Sequence, residues 1–220
     1  MNENVSKVGE NMAKEFRGLE NVKDPIDYIV CDTVDSAEFK PTTEEEIYKL
    51  IQNLKLKKAC GYDLISNKIL KTTSRSAVPF ITRLFNICID KGIFPDCFKI
   101  AQVIPLFKGG NKENPGCYRP ISLLPALGKL LEKVAYIRTL EHFENNNFLS
   151  KHQFGFRKYL STEYAILDMH EKLLNNLEKK LSSCAIFLDL AKAFDSVDHK
   201  ILLRKLCRYG IRGNFLNFFT

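Results

Sequence analysis

A chain of 220 residues that is 45% hydrophobic, 27% charged and 11% aromatic can bury a real core, which excludes a disordered tail, a collagen-like chain and a disulfide miniprotein. Its 33 Lys+Arg and 26 Asp+Glu leave +7, unevenly: residues 1–40 hold five basic and nine acidic residues, a net of −4, whereas 41–220 hold 28 and 17, a net of +11. A basic body of that size points to a polyanion, nucleic acid first and an anionic membrane surface second, against the plainer reading that its lysines solvate helix faces.

Residues 1–40 lack sustained periodicity and read as a poorly ordered acidic lead-in. Order begins at Thr43, which has capping-box spacing to Glu46. Ile47, Leu50, Ile51 and Leu54 follow at helical spacing. A basic, glycine-containing turn over 57–63 breaks that helix. A second is expected to start near Pro79, bury Ile81, Leu84, Phe85 and Cys88, and stop at Gly92.

Residues 99–107 read as a strand, with Pro105 marking an edge or a bend. A turn-rich loop over 109–116 then leads to a returning strand over 118–124. A third helix carries Leu127, Leu130, Leu131 and Val134 and runs to about Phe143. Ser161 or Thr162 opens a fourth, with Tyr164, Leu167, His170, Leu174 and Leu177 on its inner stripe. Residues 184–190 form a short apolar run of the buried-strand kind. Asp198 can cap a last helix carrying Ile201, Leu202 and Leu206, stopped at Gly210. The fold class is therefore α+β, mixed and helix-rich.

The seven cysteines at 31, 60, 88, 97, 117, 184 and 207 form no Cys-x-x-Cys pair, and the four histidines do not stand at zinc-ligand spacing around them. Cys88 and Cys184 read as small core residues. No apolar run reaches the roughly 18–20 residues of a membrane span, and the first residues lack the apolar centre of a secretory signal. We therefore expect an intracellular protein, in cytoplasm and/or nucleus, away from membranes. Nothing in the sequence calls for a homo-oligomer.

Three constellations carry chemistry. Asp189 interrupts an apolar run, where a desolvated carboxylate costs several kcal/mol, roughly, unless it is paired or holds a metal; Asp195 and Asp198 follow. Hard oxygen ligands of this kind hold Mg²⁺ in phosphoryl-transfer sites. The alternative is a strand-ending aspartate with turn and cap residues after it. Lys108 and Arg119 flank the loop between the two strands, so a hairpin would bring both cations onto one side, suited to a phosphate. Equally, they can be a surface lysine and an arginine paired with Glu113 or Glu132. Phe154 and Phe156 interleave with Arg157 near Ser161 and Thr162, as in base-stacking and phosphate-holding segments, or else they lie in the core with Arg157 solvated.

Five ordered blocks decide between these readings. Residues 57–68, around Asp63, resemble the Ala-Pro-Gly-Pro-Asp-Gly-Ile-Pro-Asn motif of non-LTR (LINE-type) retrotransposon reverse transcriptases, with Cys60, Tyr62, Leu64 and Ser66 in place of Pro, Pro, Gly and Pro. Phe94-Pro95 with Ala101-Gln102-Val103-Ile104-Pro105-Leu106-Phe107-Lys108, then Tyr118-Arg119-Pro120-Ile121-Ser122-Leu123-Leu124, are similar to two further blocks. Gln153-Phe154-Gly155-Phe156-Arg157 with Ser161-Thr162 resembles a fourth. Phe187-Leu188-Asp189-Leu190 running to Asp198-His199 resembles the family's first carboxylate motif. The likeness covers roughly 43–220 and is nearest the jockey-like branch.

The resemblance implies a partial right-hand polymerase: fingers over 41–180 and an incomplete palm sheet from 181 to 220. It implies that Asp189 is the first metal-binding catalytic aspartate and that Phe194 is an aromatic gate against a 2′-hydroxyl. Lys108 and Arg119 would hold the incoming triphosphate, with Gln153, Gly155 and Arg157 along the nucleotide and template path. The implied partners are RNA template, DNA primer and dNTP, and the implied cofactor is Mg²⁺ in a two-metal site only partly present. No Ala-Asp-Asp or Val-Asp-Asp pair occurs, so residues 1–220 are expected to be a fragment without polymerase activity. The alternatives are a non-catalytic remnant that binds RNA or RNA–DNA duplex, and an unrelated Mg²⁺-dependent phosphotransferase built on Asp189.

Overall fold

The computed structural model describes residues 35–190 and 193–220; the rest of the acidic lead-in, 1–34, lies outside them. Its helical core begins with α1 (Glu44–Gln52), capped by Thr43, whose Oγ1 accepts the amide of Glu46 at 3.2 Å. The Glu46 carboxylate accepts Arg138 Nη1 at 2.9 Å and Nη2 at 2.7 Å, and the Thr42 hydroxyl at 2.8 Å. Arg138 also donates to the Lys40 and Pro41 carbonyls, so one guanidinium ties the chain entering α1 to a distant helix.

The second helix, α2 (Asn67–Lys91), starts twelve residues before the predicted Pro79 and carries that proline inside it. Ser66 supplies the cap, accepting the Ile69 amide at 3.3 Å. The polar stretch 71–76 hid this first half, but Leu70, Ser74 and Val78 are buried and continue the stripe of Ile81, Phe85, Cys88 and Ile89. That burial offsets the hydrogen bond Pro79 cannot donate. Leu84, predicted to be buried, faces solvent instead, because the core stripe passes on either side of it. Gly92 ends the helix in the left-handed region, as expected.

After α3 (Asp96–Lys99) come β1 (Gln102–Phe107) and β2 (Tyr118–Leu123), an antiparallel ribbon in which Pro105 lies opposite Pro120. Both strands are edges, where a residue lacking an N–H is tolerated. The ribbon's apolar residues remain exposed, so it projects from the helical body.

Helix α4 (Ala126–Asn145) returns to the core with Leu130, Leu131, Val134 and Ala135 buried. Its start packs on Gly61, where an added Cβ would lie 2.6 Å from the Pro125 nitrogen, so the loop after α1 can approach only as glycine. Beyond α5 (Thr162–Glu178), α6 (His199–Arg208) and α7 (Gly213–Asn217) close a second, smaller cluster. There Phe215 stacks on Phe39, ring centroids 4.2 Å apart, beside Ala37 and Ile211. The Ala37 amide donates to the Gly210 carbonyl at 2.8 Å, so residues 35–40 are packed against the body. Phe218 is buried in the main core.

Two expectations fail around α5. Its inner stripe of Tyr164, Leu167, His170, Leu174 and Leu177 is exposed, and the helix has no buried residue. Residues 184–190, predicted to be a buried strand, form no regular secondary structure, and each is exposed, Cys184 included. A strand requires a neighbour to take its N–H and C=O groups, and no described residue pairs with this one.

Candidate nucleotide site

Strand register brings the two predicted cations together. Arg119 lies opposite Leu106, and the pairing continues through the Lys108 amide, which donates to the Cys117 carbonyl at 2.9 Å. Lys108 and Leu106 are two residues apart, so Lys108 and Arg119 share one face of the ribbon. Neither forms an ion pair with Glu113, Glu132 or any other described residue. The connecting loop is built for a tight reversal: Gly109 and Gly110 hold φ of 115° and 97°, and a Cβ on Gly110 would meet the Cys117 sulfur.

Both cations line a cleft of about 770 Å³ with Pro115, Gly116, Tyr118, Pro120, Ala193, Phe194 and Asp195. Thus Phe194, from the far end of the sequence, faces the ribbon. Tyr118 was not singled out from the sequence, although it adjoins Arg119. It braces the cleft wall, its hydroxyl donating to the Lys112 carbonyl at 2.9 Å and its ring leaning on Phe107 at 5.3 Å. Asp195, which the sequence left open between turn residue and metal ligand, also lines the cleft.

The other predicted residues lie outside this lining. Arg157 is half-buried and donates to the Ser150 carbonyl at 3.1 Å, so it fastens its own loop. Gln153 and Gly155 are exposed, and a Cβ on Gly155 would meet nothing within 4 Å. Phe156 is neither core nor cleft lining by itself; 86% exposed, it meets Phe194 edge-to-face. Asp198 takes the plainer of its two readings, capping α6 by accepting the Lys200 and Ile201 amides at 2.8 and 3.1 Å.

Asp189 is exposed on the unpaired segment, so the burial cost inferred from its apolar neighbours does not arise. Among the described residues no three His, Cys, Asp or Glu side chains gather as a metal-ligand group. Mg²⁺ favours octahedral oxygen coordination with one or two carboxylates. Asp189 fits one such ligand, and the donor set here does not fit a two-metal site.

The cleft's cations, opposed aromatic and carboxylate suit an anionic ligand with a flat, partly apolar body, which is the class of site the sequence blocks imply. Residues 110–219 match the family described as Reverse transcriptase (RNA-dependent DNA polymerase). The chain belongs to this reverse transcriptase family, in its non-LTR retrotransposon branch. It is 31% identical over 209 residues to the probable RNA-directed DNA polymerase from transposon BS of Drosophila melanogaster, covering 92% of this chain and 23% of that protein. It is 37% identical over 167 residues to the RNA-directed DNA polymerase from mobile element jockey of the same fly, covering 76% and 18%. The corresponding protein from transposon X-element is 34% identical over 155 residues, covering 70% and 17%. The chain thus spans about a fifth of the length of the curated relatives it matches. Among the described residues no helix is long and apolar enough to cross a membrane.

Proposed function

We propose that residues 41–180 act as fingers and 181–220 as the first part of a palm in an RNA-directed DNA polymerase, residues 1–40 serving as a lead-in. In this reading RNA template, DNA primer and dNTP are the substrates. The observation that carries it is the meeting of Lys108, Arg119 and Phe194 in one cleft, whose size falls within the roughly 300–1,000 Å³ of small-molecule sites. Lys108 supplies a point charge and Arg119 a planar fork for phosphate oxygens, so both act by binding and orienting a triphosphate. Phe194 stands where the sugar would pass and screens its 2′ position. Gln153 and Gly155 lie beside the template path, while Arg157 holds their loop in place.

In the whole polymerase, Mg²⁺ supplies charge stabilisation at the reacting phosphate. Asp189 would contribute one ligand, and the donors among the described residues do not complete the site. Residues 1–220 are accordingly expected to bind nucleotide without polymerising it, in the cytoplasm and/or nucleus.

Titration with dATP tests the cleft. Lys108→Ala and Arg119→Ala should each weaken binding about tenfold or more, the usual consequence of losing a charge-assisted hydrogen bond, with Lys112→Ala close to wild type. Equal affinity in all three variants would remove the triphosphate assignment. Primer extension on a primed RNA with Mg²⁺ and dNTPs should yield no product from residues 1–220. Incorporation that disappears in Asp189→Asn would refute the inactivity.

The basic body and its ribbon cations, which form no ion pair among the described residues, favour a second reading, a non-catalytic grip on RNA or RNA–DNA duplex. Binding should then weaken steeply between low and physiological salt; salt-independent or absent binding would rule it out.

A further inference from the structure

Phe194 is 77% exposed, so packing does not by itself hold its ring against the cleft. A side chain in that position samples several staggered rotamers, only some of which present the ring to a ligand. Its aromatic neighbour is Phe156, at 5.9 Å between centroids and 90° between planes, the edge-to-face arrangement that aromatic quadrupoles favour. Phe156 is 86% exposed, so the pair is a contact between two surface rings and not an extension of the core.

The backbone at Phe156 makes this contact more than incidental. Its φ of 61° lies in the left-handed region, an uncommon and costly state for a bulky residue that persists only where the surroundings impose it. Those surroundings centre on Ser150. Its carbonyl accepts Arg157 Nη1 and the Gln153 amide, both at 3.1 Å, and its hydroxyl accepts the His152 amide at 3.2 Å. Three bonds to one residue fix the turn, and the turn directs the Phe156 ring out of its own loop and onto Phe194.

We propose that Phe156 is a positioning residue for nucleotide selection: it holds the Phe194 ring in the rotamer that screens the sugar's 2′ position, and Arg157 acts through it by locking the loop. The proposal rests on the nucleotide reading of the cleft and goes beyond it by naming what sets the gate. An edge-to-face pair biases the ring toward one rotamer by about two- to tenfold, so that is the span of selectivity at stake.

The test uses residues 1–220 with 4-fluorophenylalanine at position 194, in wild type and in Phe156→Ala, Phe156→Leu and Phe156→Tyr. The fluorine resonance should lie away from its free-chain position in wild type and Phe156→Tyr, and move toward it in the Ala and Leu variants. The ratio of the ATP to the dATP dissociation constant should fall by about two- to tenfold in Phe156→Ala and Phe156→Leu and be retained in Phe156→Tyr. Inorganic tripolyphosphate, which has no sugar, should bind all four alike, and the melting temperature should not move because both rings are exposed. A fluorine shift or a nucleotide ratio that is unchanged in Phe156→Ala overturns the proposal. If wild type binds neither nucleotide, the nucleotide reading falls and takes selection with it. The fluorine shift still separates that outcome from failure of the ring contact.

Discussion

Leu64 is the residue where this chain departs most tellingly from the motif it resembles. It stands in place of that motif's glycine, and its φ is 57°. A left-handed conformation costs an L-residue roughly 1–2 kcal/mol, and Leu64 recovers little by burial because it is 73% exposed. Asp63 helps to hold the turn by accepting the Ile65 amide at 3.2 Å. Leu64→Gly should relieve the strain, less about 0.5–1 kcal/mol for the extra freedom of glycine in the unfolded chain. The net gain of up to about 1 kcal/mol would raise the melting temperature by about 2–4 °C in a chain of this size; a lower melting temperature would refute the argument. The neighbouring substitution has the opposite character, because Ser66 replaces proline and caps α2 with its own hydroxyl. The glycine requirement was readable from the motif, but that the backbone keeps its turn with leucine required the structure.

At the scale of elements, the joint between α1 and α4 depends on Glu46 and Arg138, whose side chains are 23% and 10% exposed. Burial alone would raise the Glu46 pKa, but the hydrogen bonds from Arg138 and Thr42, the Arg138 charge and the Thr43 backbone outweigh it, and the net shift is downward. A carboxylate whose folded pKa lies below its unfolded value contributes fully above the unfolded value, about 4.3, and loses that contribution as pH falls through the folded one. Stability should therefore decline on acidification from about pH 5 downward, and Glu46→Gln should flatten that decline in thermal melts. At neutral pH the same variant should cost about 2 kcal/mol, between exposed and fully buried pairs. Glu132 works in the opposite sense. Its side chain is exposed as a whole, but desolvation in the open cleft it lines with Phe94, Tyr136 and Phe218 raises its pKa despite Lys129, so its carboxylate opposes folding more as pH rises through that value. Capping-box spacing located the start of α1 correctly, yet it could not show that Glu46 also binds Arg138, because the spacing records only partners within a turn or two and the arginine comes from a distant helix.

Across the whole molecule, apolar surface is divided unequally. The helical core buries its aromatic and aliphatic stripes, whereas α5 and residues 181–190 leave Ile166, Leu167, Leu177, Ile186, Phe187, Leu188 and Leu190 exposed. Continuous apolar surface with unpaired strand edges promotes association. We expect residues 1–220 to self-associate and to bind a hydrophobic dye, and the double substitution Ile186→Lys with Leu188→Glu to reduce both. A monodisperse monomer that binds no dye would contradict this. The variant should leave the melting transition intact, since neither side chain belongs to the core.

Sequence alone determined the family, the mixed helix-rich composition, the two strands flanking a glycine loop, and the caps at Thr43 and Asp198. These depend on local spacing and on side-chain chemistry that acts within a turn or two. Tertiary structure decided what local pattern cannot carry: that α2 runs through Pro79, that Phe39 packs against Phe215, and that Lys108 and Arg119 face Phe194 across one cleft. It also decided the state of 184–190, where the hydrophobic pattern is that of a buried strand and the backbone is exposed. A strand's burial belongs to the surfaces that pair with it and cover it, and a local pattern holds no record of whether such surfaces are there.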